Sequence, residues 1–368
     1  MNRWNRIGWR HQYGKISVVL NSMPDIYDLR DLLGIAPLNT GRQFSLFGPA
    51  GLVTDDIEGL HAVCDEQGRA HLISGAEFSM FQVYRGQTQE HPACLPKMGR
   101  LKTAEEQLLA LCRNVAFEDV IAEHPFVRLA EQSTFLDNPL FIDKEGMAQH
   151  YGLPTHMLDV TGNFDVASFF ATCAWNSEKR QYEPVTETKE HGVVYRLDPL
   201  SLFDHADPDN VFGPFHIVGW QPLPRPEQQR AFVLRMKPRQ DFSEMHGIEC
   251  FRFRQRARVS GRIWKAFDEG RALFPPDAAA ELAVQAETLF QFTRHQIERA
   301  WGRLEIWTRN TYSAEQRLAF ENSSGIAEVS SPKLSWDGLD VETDANRLSD
   351  KLQDVLSRVR YRKVMYGG

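Results

Sequence analysis

The sequence predicts an α+β protein, with a mostly antiparallel sheet flanked by helices and a helical C-terminal unit. Three observations lead there. Short runs such as Phe81–Tyr84, Met157–Val160 and Ile248–Arg254 have the period and composition of strands. Between them lie apolar stripes at helical spacing: Leu108, Leu111, Cys112 and Val115, then Val166, Phe169, Phe170 and Cys173. Beyond residue 277 the pattern turns mainly helical.

Composition sets the frame. The 368 residues suggest two or three structural units, and 42% apolar with 25% charged residues is the balance of a soluble globular protein. A net charge of -7 argues against a protein that coats nucleic acid. The five cysteines have no C-x-x-C spacing, which points to a reducing compartment and no zinc knuckle. Met1–Arg10 lacks the apolar run of a signal peptide, and no stretch approaches a membrane span. The expectation is a cytoplasmic protein with no membrane partner.

Residues 1–75 read as an N-terminal extension. A strand is expected over Ile16–Leu20, a helix over Asp25–Leu33 and a loop over Gly41–Gly51. Ala62-Val63 and Ala70–Ile73 flank a turn at Asp65-Glu66-Gln67-Gly68, a hairpin signature. A second unit spans 76–290. Its first strand ends in Arg85-Gly86-Gln87, a cation beside backbone that a ligand can approach closely. Thr103 with Glu106 forms a capping box that opens the first striped helix.

Gln149–Thr161 is the stretch that concentrates chemistry. Gly152 can take positive φ past a helix end, and Pro154 forces Leu153 into extended backbone. A strand over Met157–Val160 follows, then the second striped helix. Asp159 and Thr161 thus stand at a strand end beside a helix N-terminus, where amides attract anions. His150 and His156 are six residues apart across the turn, a spacing with no ligand logic, so no metal is expected. His150-Tyr151 suits a site pair, with the phenol ring stacking on a ligand and the imidazole hydrogen-bonding.

Asn176–His191 reads as a mobile polar loop, and Gly192–Pro199 as a strand. In Glu249–Lys265, Arg252, Arg254 and Arg256 alternate onto one face, with Phe251 and Phe253 on the core side. A solvated face is the favoured reading of that charge run, and a nucleic-acid or acidic partner the alternative. Residues 291–368 form the helical C-terminal region. One long helix is expected over 277–310, a linker over Asn322–Gly338 and a helix over Ala345–Arg360 that could support oligomerisation.

Several separated segments together resemble the FRG domain, a family named for its (F/Y)-R-G motif. They are Tyr84-Arg85-Gly86-Gln87, Leu95-Pro96 with Arg100, Gln149–Thr155, Leu158-Asp159, Thr161, Asn163 and Ala167 with Phe169-Phe170-Ala171. The resemblance runs over roughly 78–290 and includes Arg225, Gln229, Phe232 and Leu273-Phe274-Pro275. His156 and Met157 depart from the usual Arg and Leu, and Val160 from the usual Trp. Such domains occur in bacterial and phage-related proteins, often in toxin or defence settings.

The order of parts is also similar to ADP-ribosyltransferases, which implies a split sheet and NAD as cofactor or substrate. That similarity makes Arg85, Tyr151, Glu227 and Gln229 the candidate catalytic residues. The candidate nucleotide-binding set is Arg85, Gly86, Gln87, His150, Tyr151, Thr155, His156, Asp159 and Thr161. Gln229 stands where some transferases carry a catalytic Glu; an amide supplies no negative charge, so Glu227 is the alternative carboxylate. The implied function is an NAD-dependent toxin or anti-phage effector, either a transferase acting on a macromolecule or an NAD glycohydrolase. The alternative is a non-catalytic module that senses a nucleotide, nucleic acid or protein partner.

Overall fold

The computed structural model describes residues 23–33, 44–45, 52–53, 59–65, 67–74, 82–186, 191–199, 202 and 214–360. The expected strand over 16–20 and most of the expected loop over 41–51 lie outside these residues. Helix α1 (Ile26–Leu32) begins where expected, because the Asp25 carboxylate accepts the amides of Tyr27 and Asp28. Strands β1 (Leu60–Cys64) and β2 (Ala70–Ser74) form the expected hairpin. Its turn is held by Asp65, whose carboxylate accepts from the Gln67 and Arg69 amides, and by Gly68 at φ +73°.

Strand β3 (Val83–Gln87) ends in Arg85-Gly86-Gln87, as expected. A single turn, α2 (Lys97–Arg100), leads to α3 (Ala104–Glu123), which the Thr103–Glu106 capping box opens as expected. Helices α4 (Pro125–Glu131) and α5 (Lys144–His150) follow. Gly152, at φ +93°, turns the chain out of α5 toward β4 (Met157–Thr161) and α6 (Phe164–Thr172).

Two expectations fail next. Cys173 does not extend the helix, and 176–191 is not one loop. Instead β5 (Cys173–Asn176) and β6 (Gln181–Pro184) pair as an antiparallel hairpin. Tyr182 holds it in place, since its carbonyl accepts the Trp264 indole N–H at 2.8 Å and its ring stacks on Phe274 at 4.8 Å. Then come β7 (His191–Leu197), β8 (Phe215–Ile217), the short helix α7 (Pro224–Gln228), β9 (Ala231–Arg235) and β10 (Ile248–Arg254).

Six strands make one sheet in the order β8-β9-β4-β3-β7-β10, with every neighbouring pair antiparallel. Side chains alternate between its faces. Val194, Phe251 and Phe253 join the core beneath α6 with Tyr84, Phe164 and Phe169. Val193, Tyr195, Leu197, Leu158 and Leu234 fill the opposite core. On the strand that carries the arginine run, Arg252 forms a two-pronged pair with Glu90 at 2.6 and 2.7 Å.

After α8 (Ala257–Ala266), the long helix expected over 277–310 is broken in two. Helix α9 (Ala278–Glu287) stops, β11 (Gln291–Thr293) intervenes, and α10 (Arg294–Thr308) starts from a fresh capping box at Thr293 and Gln296. The break buries Phe292 completely and lets β11 pair with β12 (Ala327–Val329), beyond α11 (Ala314–Ser323). The stretch expected as linker is therefore anchored, and its Trp336 indole donates to the Val120 carbonyl at 2.6 Å. Helix α12 (Ala345–Ser357) ends before the expected residue 360, where β13 (Val359–Arg360) adds to β1. Helix α10 lies on α3 and α12 on α4, so the C-terminal helices go to different partners. Among the described residues no helix is long and apolar enough to cross a membrane.

Candidate active site

The sheet is split between β3 and β4. These neighbours share one register pair, Tyr84 opposite Thr161, whereas β3 and β7 share five. Continuing that register would set Gly86 opposite Asp159, but the strands diverge. The Asp159 carbonyl receives no strand amide from β3. It accepts the Arg85 guanidinium instead, Nη1 to O at 2.6 Å. A cleft of about 380 Å³ opens along this seam, lined by Arg85–Thr88 on one side and Met157–Thr161 on the other.

Gly86 has a different purpose from the one its sequence suggests. A Cβ there would lie 1.9 Å from the Ala167 carbonyl oxygen and 2.7 Å from the Ala171 amide. The glycine seats helix α6 on the strand rather than admitting a ligand on that side. The N-terminus of α6 is likewise engaged. Asn163 Oδ1 accepts the Asp165 and Val166 amides, and Asp165 itself pairs with Arg30. Positive charge in the cleft comes from side chains instead. Lys97 and Arg100 line it with Arg85. Burial and then the neighbouring Arg85 lower the Arg100 pKa, which marks a crowded group of cations.

Facing the cations is a chain of polar groups. Gln149 Nε2 donates to Asp159 Oδ2 at 2.9 Å, and the Thr155 hydroxyl holds the other end of that amide. His150 Nδ1 lies 2.8 Å from Gln229 Oε1, while Gln229 Nε2 donates to the Leu273 carbonyl at 3.1 Å. His150 Nε2 is 3.7 Å from Asp159 Oδ1. Four buried side-chain atoms without a hydrogen-bond partner belong to residues of this lining: Arg85 Nε, Gln87 Oε1, His150 Nε2 and Asp159 Oδ1. Buried polar groups are normally satisfied, so four such atoms in one lining single this cleft out as the candidate site. Phe170, Trp175 and Tyr182 supply an aromatic wall, with the Trp175 side chain half exposed. Burial, then the Asp159 charge, pushes the Tyr182 phenol up to about 12.

Residues 81–180 match the family model of the FRG domain. The chain carries an FRG domain. No curated protein and no solved structure matches it. The matched segment begins at β3 and takes in α3, α5, β4 and α6, so it contains both lips of the cleft. Gln229, the partner of His150, comes from beyond it.

Within the FRG domain cleft the structure gathers Arg85, Gly86, Gln87, His150, Asp159, Thr161 and Gln229. The Thr161 hydroxyl donates to the Gln229 carbonyl at 2.8 Å and accepts the Asn163 amide. Four candidates lie elsewhere. Tyr151 is 4% exposed, its hydroxyl donates to Asp277 at 2.8 Å, and its ring sits under the Arg225 guanidinium at 4.5 Å. Burial, then the Asp277 charge, drives its pKa far above the ordinary phenol value, so it acts as scaffold. Thr155 is fully buried behind Gln149. His156 lines a separate pocket of about 500 Å³, where burial lowers its pKa against the pull of Glu145 at 3.3 Å. Glu227 is ion-paired with Arg358 at 3.2 Å and does not line the cleft.

Lys97, Arg100, Gln149, Trp175 and Tyr182 were not among the sequence candidates. Arg100 and Gln149 had a signal, since both sit in segments that carry the family resemblance. Lys97, Trp175 and Tyr182 had none, because only the tertiary fold brings them to the seam. Among the described residues no three His, Cys, Asp or Glu side chains gather as a metal would need.

Proposed function

We propose that the FRG domain binds NAD in the cleft between β3 and β4 and cleaves its nicotinamide bond. In this reading it is an ADP-ribosyltransferase or an NAD glycohydrolase, in the role of a toxin or defence effector. One observation carries the reading: three cations, one partly exposed carboxylate and an aromatic wall share a single cleft of about 380 Å³. A dinucleotide asks for those parts. Arg85, Lys97 and Arg100 suit a pyrophosphate, with Arg85 offering an unpartnered Nε. Trp175 and Tyr182 suit a flat ring. In this reading Asp159 stabilises the cationic ribose as nicotinamide leaves, the part the sequence reading offered to Glu227. The volume falls within the range of small-ligand pockets.

The test is calorimetric titration of the protein with NAD, followed by chromatography for free nicotinamide. Saturable binding with nicotinamide release is the expected result. Gln229 favours a second reading, a module that binds a nucleotide without cleaving it, because an amide stands where some transferases carry a catalytic carboxylate. Binding with no release under any condition would select that second reading.

A further inference from the structure

Taking the cleft as a site of ADP-ribosyl transfer, we infer that His150 is its general base and that the acceptor is a hydroxyl group. The Gln229 amide is oriented by its bond to the Leu273 carbonyl, which turns Oε1 toward His150 Nδ1 at 2.8 Å. A carbonyl oxygen only accepts, so Nδ1 carries the hydrogen and, in the neutral ring, Nε2 carries a lone pair. That nitrogen is buried and without a partner, on a side chain 2% exposed that lines the cleft. Asp159 Oδ1 faces it from 3.7 Å, also unpartnered. Two acceptors opposed in this way lack a donor between them. A neutral hydroxyl supplies one, and its single proton is what an imidazole can take. A guanidinium could donate there too, but it is far too weak an acid to give its proton to an imidazole.

The step balances within the cleft. The hydroxyl oxygen attacks C1′ of the ribose as the C1′–N bond to nicotinamide breaks. The bonding pair leaves with the ring, which becomes neutral. The hydroxyl proton passes to His150 Nε2, and the resulting imidazolium stands beside the Asp159 carboxylate before giving the proton to solvent. Gln229 is then a positioning residue that fixes the tautomer, which accounts for an amide at that place.

The test compares wild type, His150→Asn and Gln229→Glu with NAD as the probe. Calorimetry reads NAD affinity and chromatography reads nicotinamide release from about pH 5 to 9. Each is run in water alone, with a serine peptide, and with a small guanidine compound as acceptor. His150→Asn keeps an amide donor toward Gln229 and lacks Nε2. It should bind NAD within about threefold of wild type yet release nicotinamide on the order of a hundredfold more slowly, with the rise of rate with pH gone. The other charged or titratable groups that line the same cleft include Asp159, Arg85, His91, Lys97 and Arg100, and all persist in the variant. Gln229→Glu should move the rising limb to higher pH, because a carboxylate on Nδ1 holds the imidazolium. ADP-ribose in water, or an O-linked peptide product, distinguishes water from a macromolecular hydroxyl as acceptor. Release that is unchanged in His150→Asn, or that occurs only with the guanidine compound, overturns the assignment. NAD binding with no release to any hydroxyl removes the base and leaves the binding site standing; failure of wild type to bind NAD removes both.

Discussion

A methyl group added at Gly86 would sit 1.9 Å from the Ala167 carbonyl oxygen, with helix backbone on the far side and no flexible side chain to yield. Helix α6 would have to lift off β3. Gly86→Ala should therefore cost more than about 4 kcal/mol in a denaturant titration, and a loss under about 1 kcal/mol would mean that the helix can slide. Its neighbour behaves differently. Arg85 ties β3 to the Asp159 carbonyl, so Arg85→Ala removes a structural bond as well as a ligand cation. A stability loss of roughly 1–3 kcal/mol is expected, together with lost NAD binding. Arg85→Lys should restore neither fully, because one ammonium cannot hold a carbonyl and a phosphate in the guanidinium's geometry. Calorimetry and thermal melts check both halves. Arg85, His150 and Asp159, candidates from the sequence because they fall in segments rich in polar groups beside Gly and Pro, line one cleft. Tyr151 was not placed correctly: its residue type suits stacking, but sequence does not reveal that the side chain points to Asp277 and away from the seam.

Helix α4 offers a pH test of one element. His124 caps it, with Nδ1 accepting the Phe126 amide at 3.1 Å and the ring set edge-on to Trp336. Burial, then the Lys351 charge, holds its pKa down from 6.5 to about 4. The folded protein thus resists a proton that the unfolded chain accepts. Stability is unaffected well above pH 6.5, falls as pH drops below it, and stops falling from this cause near pH 4. His124→Asn keeps a capping acceptor that does not titrate, so its melting temperature should fall less steeply over that window. An identical slope in both proteins would acquit His124. Elements with local signals were the ones read from sequence. The capping box at Thr103 and Glu106 and the alternation over Ile248–Arg254 are complete within a few residues. The β5–β6 hairpin was taken for a loop because Trp264 and Phe274, which hold Tyr182, lie more than 80 residues away. The break between α9 and α10 was missed because a run rich in Ala and Leu gives no hint that Phe292 is needed beside β12.

At the scale of the whole molecule, the segment that matches the FRG model lacks most of the sheet it belongs to. Of the six sheet strands it holds only β3 and β4, and these share one register pair. The ladders that fix them, to β7 and β9, come from later sequence. A fragment of residues 81–180 should give the circular dichroism of a largely unfolded chain with some helix, and a cooperative thermal transition would contradict this. The same distribution of partners bears on how the protein is made. Helix α3 presents an apolar face that is finally covered by Leu282, Ile297, Trp301 and Leu304 of α9 and α10. On the ribosome, α3 emerges about 170 residues before α10 begins, which at about 5–20 residues per second leaves the side that α10 covers bare for roughly ten to thirty seconds. Throughout that interval the nascent chain carries a helix whose early neighbours α4 and α5 cover only part of its apolar surface, so the last side to be buried is the one whose cover is synthesised last.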